Sequence, residues 1–154
     1  MKFNIALLAG DGIGPEVILK ALADARVFAT FTPLIYGHGK ALSHYKKLLN
    51  LEDLYFTQVR SLDEIQHRKV NVINCQEECP EVIPGVESQE AGKLALTAFA
   101  AAVEDLKAGK IQGLVTAPLS KSNVNSETQP FLGHTEYLIE ATGSKSGLMM
   151  LVGE

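Results

Sequence analysis

Short apolar runs alternate along this chain with longer stretches in which apolar residues recur at helical spacing. Runs this short, bounded by glycine, proline and polar residues, predict strands buried inside a sheet. The predicted strands are Phe3–Ala9, Phe31–Tyr36, Tyr55–Val59, Val70–Cys75, Leu114–Thr116 and Leu148–Val152. We expect four of them to be central: Phe3–Ala9, Phe31–Tyr36, Val70–Cys75 and Leu114–Thr116.

The stretches between these runs carry the usual start and stop signals of helices. Pro15 stands at the favoured first position of a helix, and Ser88 is expected to cap a long helix over Gln89–Ala108 that ends at Gly109. Further helices are predicted over Ala41–Leu49, Ser120–Asn125 and Thr135–Thr142. Strands that alternate with helices predict an α/β fold, with a largely parallel sheet covered by helices on both faces.

We expect residues 1–154 to form a single α/β unit. Because an apolar strand run comes at the end of the sequence, any following helix and neighbouring strand are missing from it. The sequence is therefore expected to be a truncated form of a longer protein.

The composition is that of a globular protein, with 46% hydrophobic and 21% charged residues and a net charge of −4. Lysine and arginine are scattered, which argues against binding to nucleic acid. No apolar run approaches the roughly 18 residues of a membrane span. Cys75 and Cys79 are interpreted as free thiols in a reducing cytoplasm, since a redox pair favours a shorter spacing.

Three segments could carry chemistry. The first is the glycine-rich loop Gly10–Gly14, which follows a predicted strand and precedes a helix. Glycines let a backbone approach a ligand, and a helix N-terminus offers free N–H groups. The loop matches neither the dinucleotide-binding fingerprint nor a P-loop. A tight turn with a helix cap explains its spacing equally well.

The second and third segments lie after the strand Leu114–Thr116. Lys121 could neutralise a phosphate or carboxylate there, or could simply be a solvated lysine in a turn. His134 precedes a predicted N-cap, Thr135, and could bind an anion or transfer a proton near neutral pH. The alternative for His134 is a structural role. We expect His134 to face a pocket at the carboxyl end of the sheet, near Thr116 and Lys121, and not the core.

Together these segments resemble a known enzyme family. The matching residues are Thr116-Ala117-Pro118, Ser120-Lys121, Gly133-His134-Thr135-Glu136-Tyr137-Leu138 and Leu148-Met149-Met150-Leu151. They are similar to the 4-hydroxythreonine-4-phosphate dehydrogenases of vitamin B6 synthesis, which share the fold of isocitrate and isopropylmalate dehydrogenases. The resemblance runs from the first strand to Glu154, about the first half of the family's usual length.

The resemblance implies oxidation of 4-phosphohydroxy-L-threonine by NAD⁺, followed by loss of carbon dioxide, in a homodimer. It also implies a divalent metal (zinc, magnesium or manganese), held by three histidines that lie beyond this sequence, as do most groups that hold NAD. His134 and Thr135 match the family's substrate-binding pair, and Lys121 matches a family lysine with a role either in substrate charge or in active-site structure. Asp11 and Gly12 are the candidate cofactor contacts. No metal ligand is assigned within this chain.

One departure leaves alternatives open. The family's first loop generally has two more residues than Gly10–Gly14, and the shorter form resembles that of isopropylmalate and isocitrate dehydrogenases. A decarboxylating dehydrogenase of the isopropylmalate type is therefore one alternative. A truncated or redesigned α/β module that binds a ligand without turnover is another. We expect no measurable NAD reduction by this chain alone.

Overall fold

The computed structural model describes residues 3–9, 12–125 and 131–153, in which five strands alternate with six helices. The strands are β1 (Phe3–Leu8), β2 (Phe31–Gly37), β3 (Phe56–Val59), β4 (Val70–Asn74) and β5 (Gly113–Thr116). The helices are α1 (Gly14–Leu22), α2 (Val27–Thr30), α3 (Gly39–Leu48), α4 (Gln89–Lys107), α5 (Lys121–Val124) and α6 (His134–Thr142). A single 3-10 turn covers Leu62–Glu64.

The strands form one sheet in the order β3-β4-β2-β1-β5, and every neighbouring pair is parallel. The predicted α/β fold with a parallel sheet is confirmed. The prediction that Leu114–Thr116 is a central strand is wrong, because β5 pairs only with β1 and lies at the edge of the described sheet. Its Val115 is accordingly 53% exposed.

Each face of the sheet packs against its own set of helices. On one face, residues such as Leu7 and Ile35 pack with Leu19 of α1 and Leu42 of α3. On the other face, buried sheet residues pack with α4 through its alanines and Phe99, and α6 adds partly buried residues. Helices therefore cover both faces, as the alternating pattern predicts.

The predicted strand Leu148–Val152 is wrong. These residues have no regular secondary structure, and their side chains are between 71% and 95% exposed. A strand is stable only where a neighbour accepts and donates its backbone hydrogen bonds, whatever the apolar character of its side chains. No strand of the described part of the chain lies beside this run.

Candidate functional site

The carboxyl ends of all five strands lie on the same side of the sheet. We call this side, where the strands end, the carboxyl edge; it is not an edge strand. Parallel α/β proteins bind ligands at this edge because loops and helix N-termini gather there. The segments 12–14, 117–125 and 37–40 follow β1, β5 and β2 at this edge. A cavity of about 20 Å³ lies between Ala9, Gly37 and His38. It has room for about one water molecule, so a larger ligand needs the open surface of the edge.

Gly12 and Gly14 of the first loop have different structural roles. A side chain at Gly14 would collide with the carbonyl oxygen of Ala9 and would lie 2.9 Å from Cβ of Ala117. This glycine therefore permits a close turn within the chain. Gly12 has φ +60°, has open space around its Cα, and accepts a hydrogen bond from Tyr45 Oη at 3.3 Å. Asp11, the other candidate cofactor contact, lies outside the described residues.

Lys121 is exposed at the start of α5, and a hydrogen-bond cluster fixes the residues on either side of it. Glu87 Oε1 accepts from Ser122 Oγ at 2.7 Å and from Ser120 Oγ at 3.5 Å, and the two hydroxyls are 2.8 Å apart. Among the described residues Lys121 itself has no ion-pair partner. Its ammonium group is thus available to an anion, while its backbone is held in place.

The segment that carries Lys121 is pressed against α4 at Gly92. A Cβ on Gly92 would collide with the backbone carbonyl oxygen of Asn123. Only a glycine lets the two helices approach so closely, which explains its position within a long helix despite its poor helix propensity.

His134 is the first residue of α6, and its ring packs among aromatic side chains. The imidazole lies edge-to-face against Phe99 of α4, with 5.2 Å between ring centroids, and against Phe131 at 5.7 Å. Its Nε2 atom is buried and has no hydrogen-bond partner among the described residues. One edge of the ring therefore belongs to the aromatic part of the core, which the sequence does not indicate.

Lys121 and His134 are carried by helices that pack against the same side of α4. The contacts are at Gly92 and Phe99, seven residues apart, which is about 10 Å along a helix. Thr135 lies in the first turn of α6, because the N-cap is Gly133 and not Thr135 as predicted. The structure gives no direct contact of His134 with Thr116 or Lys121, and the predicted substrate role of these residues stays a prediction.

Burial lowers the pKa of the His134 imidazole below its ordinary value of 6.5. The folded state then binds a proton at His134 less readily than the unfolded state does. We expect the free energy of unfolding to fall as the pH drops through 6.5, and to stop falling from this cause below the folded pKa. Thermal unfolding of the wild type and of His134→Gln between pH 5 and 8 measures this. An equal pH dependence in both proteins would contradict it.

His38 is a buried polar residue at the carboxyl edge. It directly follows β2, caps α3 by accepting the Lys40 N–H at Nδ1 (3.2 Å), and is 4% exposed. The sequence feature that could have indicated this role is the position of His38 between two glycines, directly after a strand. Next to it, Asn74 Oδ1 accepts the Gly39 N–H at 2.8 Å, which joins the ends of β2 and β4. These contacts stabilise the carboxyl edge.

No group of three histidine, cysteine, aspartate or glutamate side chains within 3–9, 12–125 and 131–153 is arranged to hold a metal ion. No helix in the same ranges is both long and apolar enough to cross a membrane.

A parallel sheet covered on both faces, with the segments 12–14, 37–40 and 117–125 gathered at the carboxyl ends of its strands, defines a class: α/β proteins whose ligands bind at the carboxyl edge. Within that class, the chain belongs to the family of the pyridoxal phosphate biosynthetic protein PdxA, whose model matches residues 29–154.

Individual relatives agree with this assignment. The chain is 35% identical to a 4-hydroxythreonine-4-phosphate dehydrogenase of Bacteroides thetaiotaomicron, covering 98% of this chain and 42% of that protein. It is 34% identical to a protein of Bradyrhizobium diazoefficiens that is named a candidate D-threonate 4-phosphate dehydrogenase, with 96% and 44% covered. The crystal structure of a 4-hydroxythreonine-4-phosphate dehydrogenase from Burkholderia phymatum superimposes with a TM-score of 0.88 at 31% identity, covering 99% and 47%. The chain thus spans less than half the length of these relatives.

Proposed function

We propose that this chain supplies the carboxyl-edge part of the active site of an NAD-dependent dehydrogenase that oxidises and decarboxylates 4-phosphohydroxy-L-threonine. The observation that carries the proposal is the match of residues 29–154 to the family. It is supported by the Lys121 ammonium, which forms no ion pair with any carboxylate of the described residues, and by His134 and Thr135 in the first turn of α6. In the relatives, more than half of the protein lies outside the matched region.

The charges of the described residues suit a small phosphorylated acid. Lys121 carries a positive charge that no described carboxylate neutralises, so a phosphate or carboxylate of the substrate gains an ion pair there. A neutral His134 can hydrogen-bond a substrate oxygen without adding charge. Within the described residues, no three side chains are arranged to hold a metal ion. We propose that the metal ion and most of the groups that hold NAD belong to the part of the protein beyond this chain, with Asp11 and Gly12 as candidate NAD contacts within it, in a homodimer located in the cytoplasm.

D-threonate 4-phosphate is a second candidate substrate, because some relatives of nearly equal identity carry that name. The two compounds share the phosphate, the carboxylate and the hydroxyl that is oxidised, and differ in an amine or a hydroxyl beside the carboxylate. Lys121 and His134 would serve both, since neither is specific for an amine.

Calorimetric titration of the chain with each compound tests the proposal. We expect one of them to bind, and Lys121→Met and His134→Gln to weaken that binding more than roughly tenfold, about 1.4 kcal/mol. Lys47→Met is the matched control, because Lys47 is an exposed lysine near the end of α3, away from the carboxyl edge, and should leave the affinity unchanged. Equal affinity in all four proteins would contradict the proposed site. In a parallel assay with added magnesium, manganese or zinc, we expect no steady-state NAD reduction by this chain alone.

A further inference from the structure

Three aromatic side chains form a cluster around the imidazole ring of His134. Phe99 is 1% exposed and lies in the middle of α4, so it is held rigidly by the sheet below it. Phe131 packs on Phe99 at 6.2 Å, and Tyr137 packs on it at 4.6 Å, so the three rings form one cluster. The imidazole of His134 stands nearly perpendicular to two of them, at 75° to Phe99 and 86° to Phe131.

The two ring nitrogens of a neutral histidine differ in what they can meet in such a cluster. Nε2 is buried beside the rings and has no hydrogen-bond partner within the described residues. The face of an aromatic ring is electron-rich, so it attracts an N–H group and repels a nitrogen lone pair. An N–H on Nε2 that meets the face of one of these rings would therefore be stabilised in a neutral imidazole, while a charged imidazolium loses the hydration that it would have in water.

We propose that Phe99 and Phe131 are positioning residues for His134, which hold its ring in a fixed plane with the proton on Nε2 and leave Nδ1 to accept a hydrogen bond from the substrate. The inference rests on the proposed function for the identity of the ligand. It adds to that function the atom that meets the ligand and the residues that orient it. A hydroxyl or ammonium donor of the substrate is the chemical group that fits Nδ1 in this form.

The test is a pH titration of the histidine ring signals of the whole chain by ¹H–¹⁵N NMR, with the His134 signals identified by their loss in His134→Gln. In the wild type we expect one neutral tautomer, protonated at Nε2. In Phe131→Leu and Phe99→Leu the side chain stays apolar but loses its ring face, so the two tautomers should mix and the pKa of His134 should rise. Phe131→Tyr keeps the ring and should restore the wild-type signals.

A matched control separates positioning from general loosening of the core. Phe28→Leu removes a partly buried ring that packs against the opposite face of the sheet. It should lower stability without changing the His134 tautomer. Unchanged His134 signals in both Phe99→Leu and Phe131→Leu would overturn the proposal, and so would an equal change in Phe28→Leu. Because Phe131 is less buried than Phe99, its variants keep the test valid if Phe99→Leu does not fold.

Adding a candidate substrate to the NMR experiment tests this inference and the proposed function separately. Addition of 4-phosphohydroxy-L-threonine or D-threonate 4-phosphate to the wild type should shift the ¹⁵N signal of His134 Nδ1 more than that of Nε2. A shift centred on Nε2 would overturn the inferred orientation. No shift with either compound would contradict the proposed function, while the tautomer measurements would still decide the role of the two phenylalanines.

Discussion

Replacing Gly14 with alanine should destabilise the fold by about 3 kcal/mol, the upper part of the range for forcing atoms into a packed site. The added Cβ would collide with the carbonyl oxygen of Ala9, and it would approach Cβ of Ala117 to 2.9 Å. Neither obstacle can rotate away, because one is backbone and the other is itself a Cβ. The turn from β1 into α1 would have to open, which separates β1 from the segment that follows β5. Urea unfolding of both proteins measures the loss.

Gly37→Ala is the matched control for this substitution. It also lies near the carboxyl edge, but its new Cβ would meet only Cβ of Ala9 at 3.4 Å, an ordinary contact. We expect its cost to stay below about 1 kcal/mol. If Gly14→Ala were as stable as Gly37→Ala, the close turn would not be the reason for a glycine at position 14, and a contact with a ligand would become the better explanation.

Asn71→Ala should cost about 3 kcal/mol, because it removes a fully buried side chain and leaves several backbone groups without partners. Asn71 Oδ1 accepts the Gln66 N–H at 2.8 Å, and Nδ2 donates to the carbonyl oxygens of Gln66 and Lys69 at 3.0 and 2.9 Å. These bonds hold the turn before β4, which includes Arg68 at φ +60°. A residue in that conformation persists only while its surroundings hold it there.

The control for Asn71 is Asn74→Ala, at the other end of the same strand. Asn74 also makes two side-chain hydrogen bonds, to Gly39 and Gln58, but it is exposed, so water can replace them. We expect a loss of about 1 kcal/mol in its free energy of unfolding. A similar loss for the two variants would mean that the buried network contributes no more than an exposed one.

Much of the fold could be predicted because its signals are local. Ser88 accepts the Ala91 N–H at 3.2 Å and begins α4 as predicted, and Gly109 and Gly143 adopt the positive φ expected after a helix. The prediction of a strand over Leu148–Val152 was wrong because hydrophobicity indicates only which side chains can be buried. A strand also needs a neighbouring strand as its hydrogen-bond partner, and that strand can lie far away in the sequence. The short helix α2 was missed because four residues carry too little periodicity to detect.

The site was harder to predict than the fold. The positions of Lys121 and His134 after β5 follow from the alternation of strands and helices. The residues that surround Lys121 and His134 cannot be predicted from this alternation, because Phe99 and Gly92 belong to a helix that lies before β5 in sequence. The resemblance therefore supplied the candidate ligand-binding side chains, but not the residues that pack against them.

The position of β1 between β2 and β5 has a consequence for how the chain folds. Asn4 N–H donates to the side chain of Gln112, 108 residues later, and Ile5 pairs with Gly113. The backbone groups on one side of β1 therefore have no strand to pair with until nearly three quarters of these 154 residues have been synthesised. Contacts so distant in sequence slow folding. During synthesis we expect this side of the N-terminal strand to gain its hydrogen-bond partner only after β5 has been made.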